Sequence, residues 1–336
     1  MNPNLGAWKN KDERRTTQRK VIFVACVRPL YAFKDTSSLS ETGKPVMRFI
    51  KAVNGNKPVS DKYDILTIPC GQCVACRLDH SRRWAVRMMH EAQMHDENCF
   101  ITLTYNDEHL PADGSLHLDH FQKFMKRFRK AHGDLAIRFF HCGEYGDLHG
   151  RPHYHAIIFG YDFPDKKKFQ LVSNDTVGDI WYYISDELQK LWSFNGEPIG
   201  HCLIGEVTFE SCAYVARYIL KKITGDKADA HYNGRIPEYI TMSRRPGIGF
   251  DFYLKYFRDI YPKDQVIDAR GFKSRPPAYY DKLYEREFPA AYAKIKEGRA
   301  VIGEKIKDAD FLRLIQKEEA KQKQIERLIR PLEKEL

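Results

Sequence analysis

Residues 136–160 constrain the fold of this chain more than any other stretch. They read AIRFFHCGE, then YGDLHGRP, then HYHAIIFG. Two runs rich in aromatic and β-branched residues flank a segment of turn-forming residues, so the chain must fold back and set two strands side by side. The flanking sequence extends the pattern. CFITLTY at 99–105 reads as a strand. LDHFQKFMKRFRKAHG carries Phe121, Phe124, Met125 and Phe128 at helical spacing, with Asp119 placed to cap its start. After a variable loop, DELQKLW at 186–192 reads as a helix and HCLIGEVT at 201–208 as a strand, and Thr208 can cap the helix FESCAYVARYILKK. The order from 99 to 222 is β-α-β-β-α-β-α. It predicts an α+β fold, a mostly antiparallel sheet flanked by helices.

The remainder divides around this block. Residues 1–20 read as a flexible basic arm. Residues 21–98 hold a buried strand at 21–27, a polar loop at 34–44, a second strand at 45–53, and a cysteine-rich turn that becomes a helix. That helix would turn Trp84, Met88 and Ala92 to the core and Arg83, Arg87 and His90 to solvent. The main domain is assigned to 99–268 and includes the turn MSRRPGIG and the aromatic helix FDFYLKYFRDIY. Residues 269–336 read as a linker (269–280) and a charged surface helix (303–335). No run approaches the roughly 18 apolar residues of a membrane span, and the first residues lack the apolar core of a signal peptide. A net charge of +10 favours a polyanionic partner. The 19 Tyr and 20 Phe suit either a core or the stacking of unpaired bases.

Alternate residues of a strand share a face, so His153 and His155 point the same way and Tyr154 points to the other side. Glu144 ends the preceding strand, and the turn returns the chain beside it. Two imidazoles and a carboxylate make a face for a divalent ion with positions left for a phosphate oxygen and water. The alternative is a pair of surface histidines beside a strand-end glutamate. In AYVARYILKK, Tyr214 and Tyr218 stand four residues apart on one helical face, continued by Lys222 and flanked by Lys221. Such a stripe is ordinarily core, but here it is followed by lysines. A nearby cation would favour the phenolate.

His153-Tyr154-His155 followed by this two-tyrosine helix resembles the HUH endonucleases of the replication-initiator type. The blocks FITLTY (100–105), CGEYGDLHGRPHYHAIIFG (142–160), YVARYILKK (214–222), MSRRPGIG (242–249) and PCGQCVACR (69–77) are similar to the rolling-circle initiators of the Microviridae, the gokushovirus branch above all. The resemblance covers roughly 65–260. It implies Mg²⁺ or Mn²⁺ on Glu144, His153 and His155, and attack by Tyr214 or Tyr218 on single-stranded DNA at a viral origin. The products would be a 5′-phosphotyrosyl link and a 3′-OH, and the strand would later be rejoined. The resemblance further implies action in the bacterial host cytoplasm beside a host helicase and polymerase. Lys222 or Lys221 would steady phosphate or phenolate charge, and Arg244 and Arg245 would contact DNA phosphates.

Cys70, Cys73 and Cys76, each three apart, point to a structural Zn²⁺ site. Cys26 is the first candidate for the fourth ligand and His80 the second. An iron–sulfur cluster shares the opening spacing but lacks the closing Cys-Pro. The site would present Arg82, Arg83 and Arg87 to DNA. Cys99, Cys142, Cys202 and Cys212 read as small core residues. Two other readings stand beside the nickase: a non-catalytic zinc-containing nucleic-acid-binding protein, and a phosphoesterase in which water attacks and the tyrosines only pack.

Overall fold

The structure is a computed structural model, and it describes residues 26–326 except 42, 147–148, 173–178, 218–221, 224, 227, 262, 269–270 and 306–310. The basic arm, most of the 21–27 stretch, Tyr218 and Lys221 therefore lie outside the described residues.

The chain opens with a small antiparallel sheet of β1 (Leu30–Leu39), β2 (Pro45–Ile50) and β3 (Leu66–Ile68), with β1 in the middle. Here the sequence reading needs correction. Cys26 and Val27 lie in a loop, and β1 occupies much of the stretch read as a polar loop. An antiparallel sheet with one face in water accepts polar residues such as Lys34 and Ser37, so composition did not mark the strand. α1 (Val74–Ala92) follows.

The main body runs β4 (Asn98–Leu103), α2 (Leu118–Ala131), β5 (Arg138–Tyr145), β6 (Pro152–Phe159), β7 (Lys167–Val172), β8 (Ile180–Ile184), α3 (Asp186–Leu191). It continues through the two-residue strands β9 (Ser193–Phe194) and β10 (Glu197–Pro198), β11 (Cys202–Gly205), α4 (Phe209–Arg217), α5 (Ala228–Tyr232), β12 (Tyr239–Met242) and α6 (Phe250–Ile260). The C-terminal part holds the short β13 (Val266–Ile267) and β14 (Lys273–Ser274), then α7 (Ala278–Glu287), α8 (Pro289–Lys305) and α9 (Phe311–Glu326). The stretch read as a linker thus contains β14 and the start of α7, where Tyr280 is fully buried.

Seven strands form one antiparallel sheet in the order β12-β5-β6-β4-β11-β8-β7. The fold class is α+β, as the element order indicates. β7 and β8 are additions: they occupy the variable loop and extend one edge of the sheet.

Helices cover both faces of the sheet. On one face Phe100, Phe140, Cys142, Ile157 and Phe159 pack with residues of α1, α4, α6 and α7. On the other face Ile101, Leu103, Tyr154, Ala156 and Ile158 pack with the four apolar residues of α2 and with Leu188 and Leu191 of α3. β6 is buried along its whole length, which explains its unbroken apolar run. α2 starts differently from the sequence reading. His117 holds the cap position without a side-chain cap bond, and Asp119 lies in the first turn, paired with Lys123 at 2.8 Å. Thr208 does cap α4: its Oγ1 accepts from the Ser211 amide at 3.1 Å, and Ser211 Oγ accepts from the Thr208 amide at 2.8 Å.

α1 departs from its helical-wheel reading. Met88 is buried and Trp84 and Ala92 pack against the core as expected, but His90 and Glu91 are buried too. His90 bonds the Tyr280 hydroxyl at 3.0 Å and stacks on Phe252. Glu91 pairs with Arg138 and accepts from the Gly249 amide at 2.5 Å. Arg87 donates twice to the Ile248 carbonyl, at 3.0 and 2.9 Å, with its guanidinium over Trp84 and Tyr279. The covering turn and helices α6 and α7 claim a face that would otherwise meet water.

Candidate active site and metal centres

The β5–β6 ladder pairs Glu144 with His153 and Cys142 with His155, which sets all three candidate ligands on the α1/α4 face. Glu144 Oε1 lies 2.7 Å from His153 Nε2 and 2.8 Å from His155 Nε2. Glu144 and His155 are fully buried and His153 is 6% exposed, so these are not surface histidines. Burial pushes the Glu144 carboxyl up, but attraction and hydrogen bonds from His153 and His155 outweigh it and hold the pKa at about 2. The group is a carboxylate at any physiological pH.

The residues fit a divalent ion. Their ligand atoms lie within 4.8 Å of one another. An ion bound at about 2.1 Å by ligands at right angles separates them by about 3 Å, close to the spacing here. The outer ring nitrogens are also engaged. His153 Nδ1 donates to the Arg151 carbonyl at 3.1 Å, and His155 Nδ1 faces Thr102 Oγ1 at 2.9 Å. Bonds of this kind fix the tautomer and aim the Nε2 lone pairs at an ion. Thr102 is the residue the sequence reading missed. Its signal was a polar side chain inside the apolar run FITLTY, but the β4–β6 register that sets it opposite His155 is a long-range fact.

α4 brings Tyr214 to this group. Ser81 of α1 donates to the Ala213 carbonyl at 3.1 Å, fastening the helix beside the sheet. The Tyr214 hydroxyl lies 3.5 Å from His155 Nε2, and its ring meets His155 and Phe100 edge-on. Tyr214 is only 6% exposed, packed like a core residue yet with its oxygen at the metal face. Cys212 and Val215 take the apolar side, as the spacing indicates. Lys222 is exposed.

The four cysteines Cys26, Cys70, Cys73 and Cys76 form a second group within 4.8 Å. Cys26 Sγ lies 3.6 Å from Cys70 Sγ and 3.7 Å from Cys73 Sγ. Four sulfurs at about 2.3 Å around one tetrahedral ion stand about 3.7 Å apart, so the cage suits a single ion such as zinc. A multi-iron cluster would spread them by its own width. Cys26 is the fourth member. His80 is exposed, edge-on to Trp84, and stands outside the group. Burial disfavours a thiolate at Cys73, but the Cys76 and Val27 amides and neighbouring thiols outweigh it and bring the pKa to about 7. Burial prevails at Cys26, raised to about 11. A bound cation would stabilise all four thiolates.

The basic candidates separate. Arg83, Arg244 and Arg245 are exposed. Arg82 bonds Asp79 at 3.2 Å, and Arg87 is held inward as described. The 243–249 turn is clamped by Arg87, Glu91 and Arg138, the last donating to the Pro246 carbonyl at 2.8 Å, and it carries Arg244 and Arg245 outward.

Comparison with known proteins gives a consistent result. Residues 98–223 match the family of the replication-associated protein ORF2, a span from β4 past α4 that includes Glu144, His153, His155 and Tyr214. The chain is 32% identical over 284 residues to Replication-associated protein VP4 of Bdellovibrio phage phiMH2K, covering 81% of this chain and 82% of that one. It is 33% identical over 247 residues to Replication-associated protein ORF2 of Spiroplasma virus 4, covering 70% and 72%. With Replication-associated protein ORF4 of Chlamydia phage 1 the identity is 31% over 223 residues, covering 65% and 54%. No solved structure matches the chain.

Proposed function

This chain belongs to the replication-associated proteins of Microviridae-like phages, the ORF2 family, and from that premise we propose that it nicks and rejoins single-stranded DNA at a viral origin by tyrosine attack. One observation carries the reading: a buried carboxylate and two imidazoles converge on one face, with the Tyr214 hydroxyl 3.5 Å from His155 Nε2.

Glu144, His153 and His155 would hold Mg²⁺ or Mn²⁺, which supplies a Lewis acid for the scissile phosphate. Thr102 and the Arg151 carbonyl keep the two rings oriented. The Tyr214 oxygen loses its proton and attacks phosphorus. The tyrosyl O–P bond forms as the P–O3′ bond breaks, and the departing oxygen takes up a proton to become the 3′-OH. The energy of the phosphodiester stays in the phosphotyrosyl link, so reversal by an incoming 3′-OH rejoins the strand without a nucleotide cofactor. Tyr218, one turn further in sequence, is the partner for a second cut. Arg244 and Arg245, on the clamped turn, would meet backbone phosphates, with Arg83, Lys222 and Lys221 as further cations. The Cys₄ cage, holding zinc, would fasten the N-terminal loop to the start of α1.

The test uses single-stranded DNA carrying candidate origins, with Mn²⁺ or Mg²⁺, on denaturing gels. Wild-type protein is expected to give a metal-dependent covalent adduct, absent from Tyr214→Phe/Tyr218→Phe, and the single variants rank the two hydroxyls. Cleavage without adduct would replace tyrosine attack by water attack. Tight binding without cleavage would replace the nickase by a binding protein.

A further inference from the structure

Among the described residues a third group of metal-ligating side chains converges, at the start of α2, on the sheet face opposite Tyr214. We propose that His117, Asp119 and His120 form a binding site for a borderline divalent transition ion of the Zn²⁺ or Co²⁺ type, distinct from the Glu144 and Cys₄ groups.

Four observations support it. The ligand atoms of the three residues lie within 4.8 Å of one another. The two imidazoles are stacked, with centroids 5.0 Å apart and planes 19° from parallel, so their edges run side by side. Each ring has one nitrogen engaged by a protein oxygen: His120 Nδ1 with the Tyr105 hydroxyl at 2.6 Å, and His117 Nε2 with Asp113 Oδ1 at 3.1 Å. The Asp113–His117 pair is the carboxylate–histidine arrangement that commonly backs a metal-bound ring, and one nitrogen of each ring is left for an ion. Finally, the group is open to solvent, with side-chain exposure of 33% at His117 and 52% at Asp119.

The charge balance also holds. The start of a helix is electropositive and opposes a cation. Asp113 and Asp119 together bring two negative charges, which offset both the helix end and a divalent ion. Asp119 holds Lys123 through Oδ2, which leaves Oδ1 for the ion. Two imidazoles and a carboxylate select Zn²⁺, Co²⁺ or Ni²⁺ over Mg²⁺, which prefers oxygen.

The site is supported from behind. The Tyr154 hydroxyl accepts from the His117 amide at 3.0 Å, lies 2.9 Å from the His117 carbonyl, and is 2.8 Å from the Tyr105 hydroxyl. Tyr154 is the middle residue of the His-Tyr-His strand. An ion here would therefore lock the start of α2 and the 113–117 loop to the back of that strand.

The proposal is independent of nicking, because its readout is binding. Full-length protein is titrated with Co²⁺, and bound metal is counted after desalting. The sulfur site is recognised by its intense charge-transfer absorption, and nitrogen and oxygen sites by weak visible bands alone. His117→Ala/His120→Ala is expected to lose one non-sulfur equivalent and keep the sulfur signal. Retention of every equivalent would overturn the proposal. Asp119→Asn, an exposed change, is the second variant should the first not fold. It is expected to weaken one non-sulfur equivalent by about tenfold or more, and unchanged affinity would equally overturn the site.

Discussion

Thr102→Val tests how the metal face is held. Thr102 is 1% exposed, sits opposite His155 in the β4–β6 ladder, and places its hydroxyl 2.9 Å from His155 Nδ1. Valine keeps the β-branched shape and the strand preference, so the change removes one polar contact and little packing. It leaves a buried ring nitrogen without that partner, which costs about 1–3 kcal/mol. At about 1.4 kcal/mol per factor of ten, this corresponds to roughly 5–150-fold. It falls mainly on the ordering of the ring and hence on ion affinity, in line with losses of about 10–100-fold when such outer partners are removed. The assay is Mn²⁺ binding followed by the resonance of the free ion, alongside adduct formation against Mn²⁺ concentration. The half-saturating Mn²⁺ concentration is expected to rise by about 10–100-fold, with the adduct rate recovering at saturation. Unchanged Mn²⁺ affinity in a folded variant would refute the reasoning. A fall in the saturated rate at unchanged affinity would place the hydroxyl in the chemical step instead.

Other expectations follow from the same contacts. Glu91→Ala leaves Arg138 without its buried partner and should cost about 3–5 kcal/mol in denaturant unfolding. Burial raises the Glu91 carboxyl, but the His95 contact, the Gly249 amide and Arg138 outweigh it and lower its pKa. Its stabilisation is therefore complete above about pH 4.3 and is lost as the pH falls toward the lower folded value. The acid limb of the stability–pH curve should flatten in Glu91→Gln. Cys26→Ser should remove one equivalent of tightly bound metal while His80→Ala leaves it in place, read by metal analysis; the opposite pattern would exchange their roles. Gly249→Ala should lower the thermal midpoint, because φ is +81° there and a Cβ would strike the Tyr280 hydroxyl.

Much of this protein is legible in its sequence where the signal is local. The 136–160 hairpin declares itself because its two strands are apolar through a continuous run and the turn between them is built of turn residues. Return of the chain then forces Glu144 beside His153. The four apolar residues of α2 and the cap at Thr208 are equally local, since helix period and capping act over a few residues. Cys70, Cys73 and Cys76 announce a metal by spacing alone.

Other features depend on what each element meets. β7 and β8 were hidden because an edge hairpin with exposed Lys167, Lys168 and Phe169 needs no apolar alternation. Arg87 and His90 looked solvent-facing because a helical wheel cannot know that α6, α7 and the 243–249 turn cover them. The choice of Cys26 over His80 required the loop before β1 to reach a residue 44 positions away. Thr102 and the His117–Asp119–His120 group likewise arise from register and packing. The sequence by itself determined the sheet's central hairpin, the chemistry of its ligands and the order of its helices, because these follow from neighbours along the chain. Only the tertiary structure decided which side chains complete each site, because burial and hydrogen bonding are settled between segments distant in sequence, where no local free energy distinguishes one partner from another.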